Sequence, residues 1–258
     1  MRVRILGCSG GIGGHHLRTT SMLVDHDVLI DAGTGVADLS LEALAQIDHV
    51  FVTHSHLDHI AALPLLVDTV ADLREAPLTV HALPETLDIL RQHVFNWAIW
   101  PDFSEIAIRA DAVMQYRTIE VGQQICLGGR TITAVPAVHT VPAVGYHLDS
   151  GAGSLVFTGD TTSNDDLWPL LNAVGNLRYL IIETAFSNEE EALATLSRHL
   201  CPTLLHAELA KLNRDAEVYI THLKPGQIER IMREIDACEA IGGRFKPQLL
   251  QNNQLFEF

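Results

Sequence analysis

The chain has 258 residues, of which 47% are hydrophobic and 19% are charged, enough for one large domain with a substantial core. Its formal net charge is −15, from 32 acidic and 17 basic residues. This balance argues against binding to long nucleic acids, because their phosphates require clustered lysines and arginines. The chain also has no run of about 18 apolar residues and no N-terminal apolar stretch of signal-peptide type.

The cysteines are far apart and form no CxxC pair, a spacing typical of reduced thiols rather than of a disulfide framework. They are Cys8, Cys126, Cys201 and Cys238. We therefore predict a soluble, cytoplasmic protein without membrane contact, folded as a single domain over residues 1–258. Export followed by removal of a leader stays open as an alternative.

The first part of the chain alternates short β-rich segments with helical patterns, separated by Gly and Asp turns. The predicted strands are 3–6, 21–24, 28–30, 50–52 and 78–81. The predicted helices are 39–45, 60–74 and 84–95.

The second part of the chain repeats this alternation with more strands. The predicted strands are 116–120, 124–126, 131–135, 145–148, 154–158, 179–182 and 218–222. The predicted helices are 189–198, 202–212 and 227–235, which leaves His199 at a junction between two helices. Two sheets covered by outer helices bury the apolar faces of such elements, so the pattern predicts an α/β fold.

The segment 53–60, Thr-His-Ser-His-Leu-Asp-His-Ile, contains three imidazoles and one carboxylate. It lies between the predicted strand 50–52 and the predicted helix 60–74, which places its polar side chains on a loop. Histidine and aspartate together suit zinc, manganese or iron. The spacing therefore predicts a metal site, and the alternative of a solvated His-rich turn weakens once distant partners are considered.

Three later strand patterns also end in a residue that can bind metal. His139 follows 134–138, Asp160 follows 155–159 and His222 follows 218–221. Each alone has an ordinary explanation, because a histidine at a strand end is often a hydrogen-bonded loop residue and Gly-Asp-Thr is a common turn. Their repetition at strand ends predicts that they converge at one sheet edge.

In this order the residues resemble the metallo-β-lactamase superfamily, and the resemblance spans most of the chain. It implies a four-layer αββα sandwich with a cleft for two divalent ions along one edge of the sheets. By this resemblance, one ion would be held by His54, His56 and His139, the other by Asp58, His59 and His222, with Asp160 bridging them.

Within the superfamily, the phosphodiesterase branches resemble this chain best, because Asp160 stands where β-lactamases commonly place cysteine. Residues 139–146 are similar to a segment of tRNA-maturation endoribonucleases and of class II cyclic-nucleotide phosphodiesterases. The segments 96–103, 183–186, 197–202 and 222–225 resemble the cyclic-nucleotide branch specifically. The chain lacks the Gly/Lys-rich insertion with which tRNA-processing members hold RNA.

We therefore predict a phosphodiesterase that opens a 3′,5′-cyclic nucleotide, cAMP or cGMP, to the nucleoside 5′-monophosphate. The hydroxide would be activated by two divalent ions, zinc first, with manganese or iron as alternatives. Asp58 would orient this hydroxide, and His199 would protonate the departing ribose oxygen. Glu183 would fix the tautomer of His199 and raise its pKa. A purely structural histidine between two helices is the alternative for His199.

Other functions fit the same predicted scaffold, since fold alone does not decide chemistry. These are tRNA-processing phosphodiesterase, lactonase, thioesterase, glyoxalase and arylsulfatase, or a metal-binding protein without turnover. Trp97, Trp100 and Phe103 are candidates for a wall that stacks on a base, although aromatic clusters more often belong to a core or a subunit contact. The apolar stretch 61–70 would suit a homodimer contact, and a core helix would show the same pattern.

Overall fold

The computed structural model describes residues 1–14, 16–108, 110–239 and 243–258. Its strands are β1 (Arg2–Gly7), β2 (Ser21–Val24), β3 (Val28–Ile30), β4 (His49–Phe51), β5 (Leu78–Ala82), β6 (Met114–Thr118), β7 (Gln124–Leu127), β8 (Arg130–Pro136), β9 (Val144–Asp149), β10 (Ser154–Phe157), β11 (Leu177–Glu183), β12 (Glu217–Thr221), β13 (Gln248–Leu249) and β14 (Leu255–Glu257). Its α-helices are α1 (Leu41–Ala45), α2 (Leu57–Ile60), α3 (Leu63–Val70), α4 (Pro84–His93), α5 (Leu167–Ala173), α6 (Glu191–Ser197), α7 (Pro202–Leu209) and α8 (Ile228–Glu239). Thr34–Asp38 and Asn188–Glu190 form short 3-10 helices.

The strands of the described ranges assemble into two mixed sheets of seven strands each. The first has the order β14-β1-β2-β3-β4-β5-β6, and its strands from β3 to β6 are parallel. The second has the order β13-β12-β11-β10-β9-β8-β7, and its strands from β10 to β13 are parallel. Since parallel strands end at the same edge of a sheet, the loops that follow them are brought together there.

Three hydrophobic clusters define the layers. Between the sheets, Phe51, Tyr146 and Phe157 belong to one cluster, whereas Val50, the preceding residue of β4, belongs to a second cluster under α3 and α4. This alternation of neighbouring side chains between two faces is what a strand buried on both sides requires. A third cluster joins the second sheet to α5, α7 and α8. The predicted four-layer αββα architecture is therefore confirmed.

Two predicted elements are placed differently by the structure. The strand predicted at 116–120 pairs as β6 with β5, so it belongs to the first sheet rather than to the second block. The helix predicted at 60–74 is divided into α2 and α3, and α2 already begins at Leu57. Asp58 and His59 therefore lie on a helical turn rather than on the predicted loop.

The apolar stretch 61–70 is used mainly for the core. Leu63, Leu66 and Val67 are buried in the cluster under the first sheet, while Leu65 is exposed. The homodimer contact at this stretch stays a prediction. No helix in the described ranges combines the length and apolarity needed to cross a membrane.

Candidate metal centre and active site

Four strands, one from the first sheet and three from the second, direct the predicted ligands toward one edge of the sandwich. The loops and the turn that follow β4, β8, β10 and β12 carry the seven side chains that the sequence predicted as ligands. In the structure these side chains form two groups, each with its donor atoms within 4.8 Å of one another. The first group is His54, His56 and His139, and the second is Asp58, His59, Asp160 and His222.

Local backbone geometry brings these side chains inward. His56 is the N-cap of α2, and its carbonyl oxygen accepts a hydrogen bond from the His59 backbone N–H at 3.0 Å. Gly159, just before Asp160, has a φ of 63°, and a β-carbon there would lie 2.7 Å from the carbonyl oxygen of Val144. Only glycine fits this turn. His222 itself has a φ of 65°, a conformation that is costly for a residue with a side chain and is common at functional sites.

The donor atoms suit a divalent cation. His56 Nδ1 and His139 Nε2 are 3.1 Å apart, close to the spacing of about 3.3 Å between ligands of a tetrahedral zinc ion with Zn–N bonds of about 2.0–2.1 Å. Among the described residues, the buried Nε2 atoms of His54 and His59 have no hydrogen-bond partner. Buried polar atoms are normally paired, so unpaired nitrogens beside a carboxylate fit a site for a metal ion.

Asp160 contacts both groups. Its Oδ2 atom lies 3.7 Å from His54 Nε2, 3.3 Å from His59 Nε2 and 3.1 Å from His222 Nε2. The side chain is only 2% exposed, whereas that of Asp58, which is 3.0 Å from His222 Nε2, is 28% exposed. The two carboxylates therefore differ, one enclosed by imidazoles and the other open to the cleft.

A buried aspartate that sequence analysis did not single out contacts the candidate ligand His59 on the side away from the cluster's other donor atoms. Asp31, fully buried after β3, lies 2.7 Å from His59 Nδ1 and accepts hydrogen bonds from the backbone N–H and hydroxyl of Thr53. The Thr53 hydroxyl is in turn 3.0 Å from His54 Nδ1. Such partners fix the orientation and tautomer of ligating imidazoles. The available signal was a carboxylate directly after an apolar strand, the pattern already seen at Asp160.

His139 is held in a similar way by Arg198, which the sequence analysis also missed. The Arg198 carbonyl oxygen is 3.1 Å from His139 Nδ1, and its guanidinium donates to the His139 carbonyl oxygen at 2.6 Å. Arg198 is the C-cap of α6 and has a φ of 54°. This left-handed turn carries the chain from α6 directly into His199.

The electrostatics of the cluster divide its histidines into two kinds. Burial lowers the pKa of His54 well below its usual value and that of His139 to about 4, so both are neutral at pH 7 and keep a lone pair for a cation. Burial also opposes charge on His59, but Asp160 and Asp31 outweigh it and raise the pKa of that imidazole. Likewise, burial opposes ionisation of Asp160, yet His222 and His59 hold its pKa well below the usual value. The carboxylates around His59 thus favour positive charge at this position of the cluster.

The predicted Glu183–His199 pair is formed. Glu183 is fully buried, and its Oε1 atom lies 2.7 Å from His199 Nδ1. Burial lowers the pKa of His199, but the Glu183 carboxylate outweighs this effect and raises it above 6.5. The His199 ring centroid is 4.8 Å from that of His139 and 5.0 Å from that of His222. A protonatable imidazole therefore stands beside both groups of candidate ligands.

The aromatic residues predicted to stack on a base do not share one role. Phe103 is buried in the cluster under the first sheet, and Trp100 packs against the same cluster. Trp97 is 61% exposed and donates from Nε1 to Glu105. The aromatic ring beside His199 is instead that of Phe186, with a centroid separation of 5.7 Å.

A four-layer αββα sandwich with a His/Asp cluster at one sheet edge defines the class of metal-dependent hydrolases with this fold. Residues 26–242 match the family model described as a beta-lactamase superfamily domain. The chain belongs to this superfamily, and the predicted resemblance to its cyclic-nucleotide phosphodiesterase branch is confirmed.

Individual relatives carry names from two branches. The chain is 28% identical over 203 residues to a probable 3′,5′-cyclic-nucleotide phosphodiesterase of Yersinia pestis, covering 69% of this chain and 57% of the relative. It is 31% identical over 142 residues to ribonuclease Z of Bradyrhizobium diazoefficiens, covering 52% of this chain and 44% of the relative. The chain thus spans about half the length of these relatives. The unliganded structure of yeast PDE1 superposes with a TM-score of 0.80 at 18% identity, covering 100% of this chain and 99% of that one, which shows the shared fold.

Proposed function

We propose that this chain is a metal-dependent phosphodiesterase that hydrolyses a 3′,5′-cyclic nucleotide to the nucleoside 5′-monophosphate. The proposal depends on one observation: the Glu183–His199 pair lies directly beside a cluster of seven potential ligands. A phosphodiester needs a cation site for its anionic oxygens and a proton for its departing alkoxide, and this arrangement offers both. Relatives named as cyclic-nucleotide phosphodiesterases support the same substrate class.

For the metal we propose two divalent ions, zinc first, with manganese or iron as alternatives. Their ligands would be His54, His56 and His139 for one ion, Asp58, His59 and His222 for the other, and Asp160 for both. Bound ions of this kind polarise phosphoryl oxygens and lower the pKa of a water molecule.

The protein side chains would divide the remaining work between them. Asp58, the more exposed carboxylate of the cluster, would accept a hydrogen bond from the attacking water and orient it toward phosphorus. His199 would donate a proton to the departing ribose oxygen. Glu183 supports this role, because a buried carboxylate at 2.7 Å favours the protonated imidazole near neutral pH.

Cleavage of RNA is the second candidate, since several relatives are named ribonuclease Z. The net charge of −15 argues against it, because a long polyanion would be repelled outside the immediate cleft. Lactones and thioesters are further candidates on this scaffold. We also propose the cytoplasm as the location, because the spacing of the four cysteines is typical of reduced thiols.

The experiment is a substrate screen with protein of measured metal content. Cyclic AMP, cyclic GMP, bis-p-nitrophenyl phosphate, a lactone, a thioester and a precursor tRNA are compared by kcat/KM. We expect a cyclic nucleotide to exceed the lactone and thioester at least 100-fold, and tRNA to show no binding at moderate salt. An Asp160→Asn variant purified in parallel controls for contaminating hydrolases. Preferred turnover of a lactone, a thioester or tRNA would refute the proposal.

A further inference from the structure

His199 has an aromatic neighbour that the mechanism above does not use. Phe186 is half-buried, and its ring meets that of His199 edge-on at an interplanar angle of 62°. Unlike His139 and His222, it has no atom that could bind metal. Because its side chain is only half-buried beside His199, its ring can contact an organic part of a substrate near the position where His199 would deliver a proton.

A lysine stands beside this ring. The Lys224 ammonium lies 5.9 Å from the Phe186 ring centroid and donates a hydrogen bond to the Gly10 carbonyl oxygen at 2.9 Å. The backbone holds these segments in register, since the Lys224 N–H donates to the Ala185 carbonyl oxygen at 3.3 Å. In a chain with only three lysines and a net charge of −15, an ammonium held beside the candidate active site is unusual.

The glycine-rich loop that contains Gly10 contacts both the segment of Lys224 and the candidate metal ligand His222. The Gly10 N–H donates to the Leu223 carbonyl oxygen at 3.1 Å. A β-carbon on Gly10 would lie 2.9 Å from His222 Nδ1, so the loop packs directly on this candidate ligand. An aromatic ring, an ammonium and a glycine loop thus surround one part of the candidate active site.

We propose that Phe186 and Lys224 form a subsite for the nucleoside part of the substrate, which carries the oxygen that His199 protonates. This inference rests on the proposed function. An oxygen within hydrogen-bond distance of His199 brings its own sugar and base against the other neighbours of that imidazole. An aromatic ring offers a stacking surface to a sugar or base, and an ammonium offers hydrogen bonds to hydroxyl or ring acceptors.

The subsite predicts a dependence on the nucleoside that a purely structural role would not produce. Phe186→Leu keeps an apolar side chain but removes the ring, and Lys224→Met keeps the length but removes the charge. We expect each variant to raise KM for a cyclic nucleotide about tenfold with kcat within about threefold of wild type. For trimethylene phosphate, a cyclic phosphodiester without ribose or base, kcat/KM should stay within about twofold.

Matched controls are Trp97→Leu, an exposed aromatic residue that was also a stacking candidate, and Lys246→Met, an exposed lysine. Neither should change KM for the cyclic nucleotide. Equal losses on both substrates, or no loss on either, would overturn the subsite. A rise in KM for Trp97→Leu alone would move it elsewhere.

A binding experiment separates this inference from the proposed function. Calorimetry on metal-loaded protein compares a nucleoside 5′-monophosphate with inorganic phosphate. We expect Phe186→Leu to weaken the first about tenfold and to leave the second unchanged. If wild-type protein opened no cyclic nucleotide, the proposed function would fail, while this ratio would still decide whether the subsite exists.

Discussion

His199 is the residue for which geometry and charge make the most specific prediction. Its Nδ1 atom faces a fully buried carboxylate at 2.7 Å, so Nε2 is the atom available to a substrate. Removal of a general acid usually costs about 10²–10⁴-fold in rate. We expect His199→Ala to lower kcat for a cyclic nucleotide by that amount. Turnover of bis-p-nitrophenyl phosphate should fall far less, because p-nitrophenolate departs without a proton.

The comparison between the two substrates distinguishes loss of the general acid from loss of folding or of metal, because either of the latter would lower both rates. His93→Ala, at an exposed helical position, serves as the control and should leave both rates unchanged. A cyclic-nucleotide rate within about threefold of wild type would rule out the general-acid role and leave His199 as a structural histidine.

Asp31 supports a prediction about metal affinity rather than turnover. Its carboxylate is fully buried and lies 2.7 Å from His59 Nδ1, the typical position of a partner that orients a ligating imidazole. We expect Asp31→Asn to weaken zinc binding about 10–100-fold in a competition assay with a chromophoric chelator. Asp111→Asn, at an exposed position, is the control. Unchanged zinc affinity in Asp31→Asn would show that this carboxylate serves folding alone.

At the scale of elements, the neighbouring strands β4 and β5 contain a histidine pair outside the candidate active site. His49 Nδ1 and His81 Nε2 are 3.1 Å apart, and the buried His81 ring stacks on Phe51 at 4.3 Å. Burial, followed by the proximity of His49, lowers the pKa of His81 from 6.5 to about 4. Folding therefore favours the neutral imidazole.

This pair should make the protein acid-sensitive. The unfolded chain binds a proton at His81 near pH 6.5 and the folded chain only near pH 4. The contribution of the neutral His81 to the free energy of unfolding is therefore fully present above pH 6.5 and is lost as the pH falls toward 4. The loss amounts to about 3 kcal/mol at most, from 1.36 kcal/mol for each pH unit. Urea unfolding between pH 7 and 4 should show a shallower decline for His81→Leu. A slope identical to that of wild type and of the control His93→Leu would contradict the prediction.

The sequence predicted elements well where the signal is local. The candidate ligands His54, His56, Asp58 and His59 were identified because they share one short segment, and the strand pattern before them is continuous. The division between helices α2 and α3 was missed because residues 60–70 follow a single apolar period. In the structure the helix is interrupted at Ala61-Ala62. Helix α5 was missed, since Leu167-Trp168-Pro169 has a proline within its first turn. The strands β13 and β14 were missed because they are short and, unlike the three-residue strand β3, are not continuous apolar runs.

At the scale of the whole molecule, pairing between distant segments limits what sequence can show. Strand β6 lies beside β5 because the chain returns to the first sheet after residues 94–113. No local sequence pattern predicts this pairing. Asp31 was missed for the same reason, because its importance comes from His59, 28 residues further along the chain. By contrast, His139, Asp160 and His222 were predicted to converge from a repeated pattern at strand ends, and the structure brings them together. The single domain over residues 1–258 stays a prediction.

The cluster joins loops and turns from both sheets, so metal binding should also stabilise the entire fold. Its second group alone places the ligand atoms of two aspartates and two histidines within 4.8 Å of one another, an arrangement that a bound cation would hold together. With free zinc at about 100 times the dissociation constant, binding to the folded state alone contributes about 2.7 kcal/mol. For a chain of this size that corresponds to a Tm higher by roughly 5–10 °C.

Chelation should therefore lower the Tm by this amount, and readdition of zinc should restore it, as measured by calorimetry with metal content checked at each step. His54→Ala removes one ligand from the first group and should show a smaller shift. His147→Ala, which changes a histidine of β9 outside the cluster, should show the full shift. If removal of metal from the wild-type protein left its Tm unchanged, metal binding at the cluster would not stabilise the packing of the two sheets.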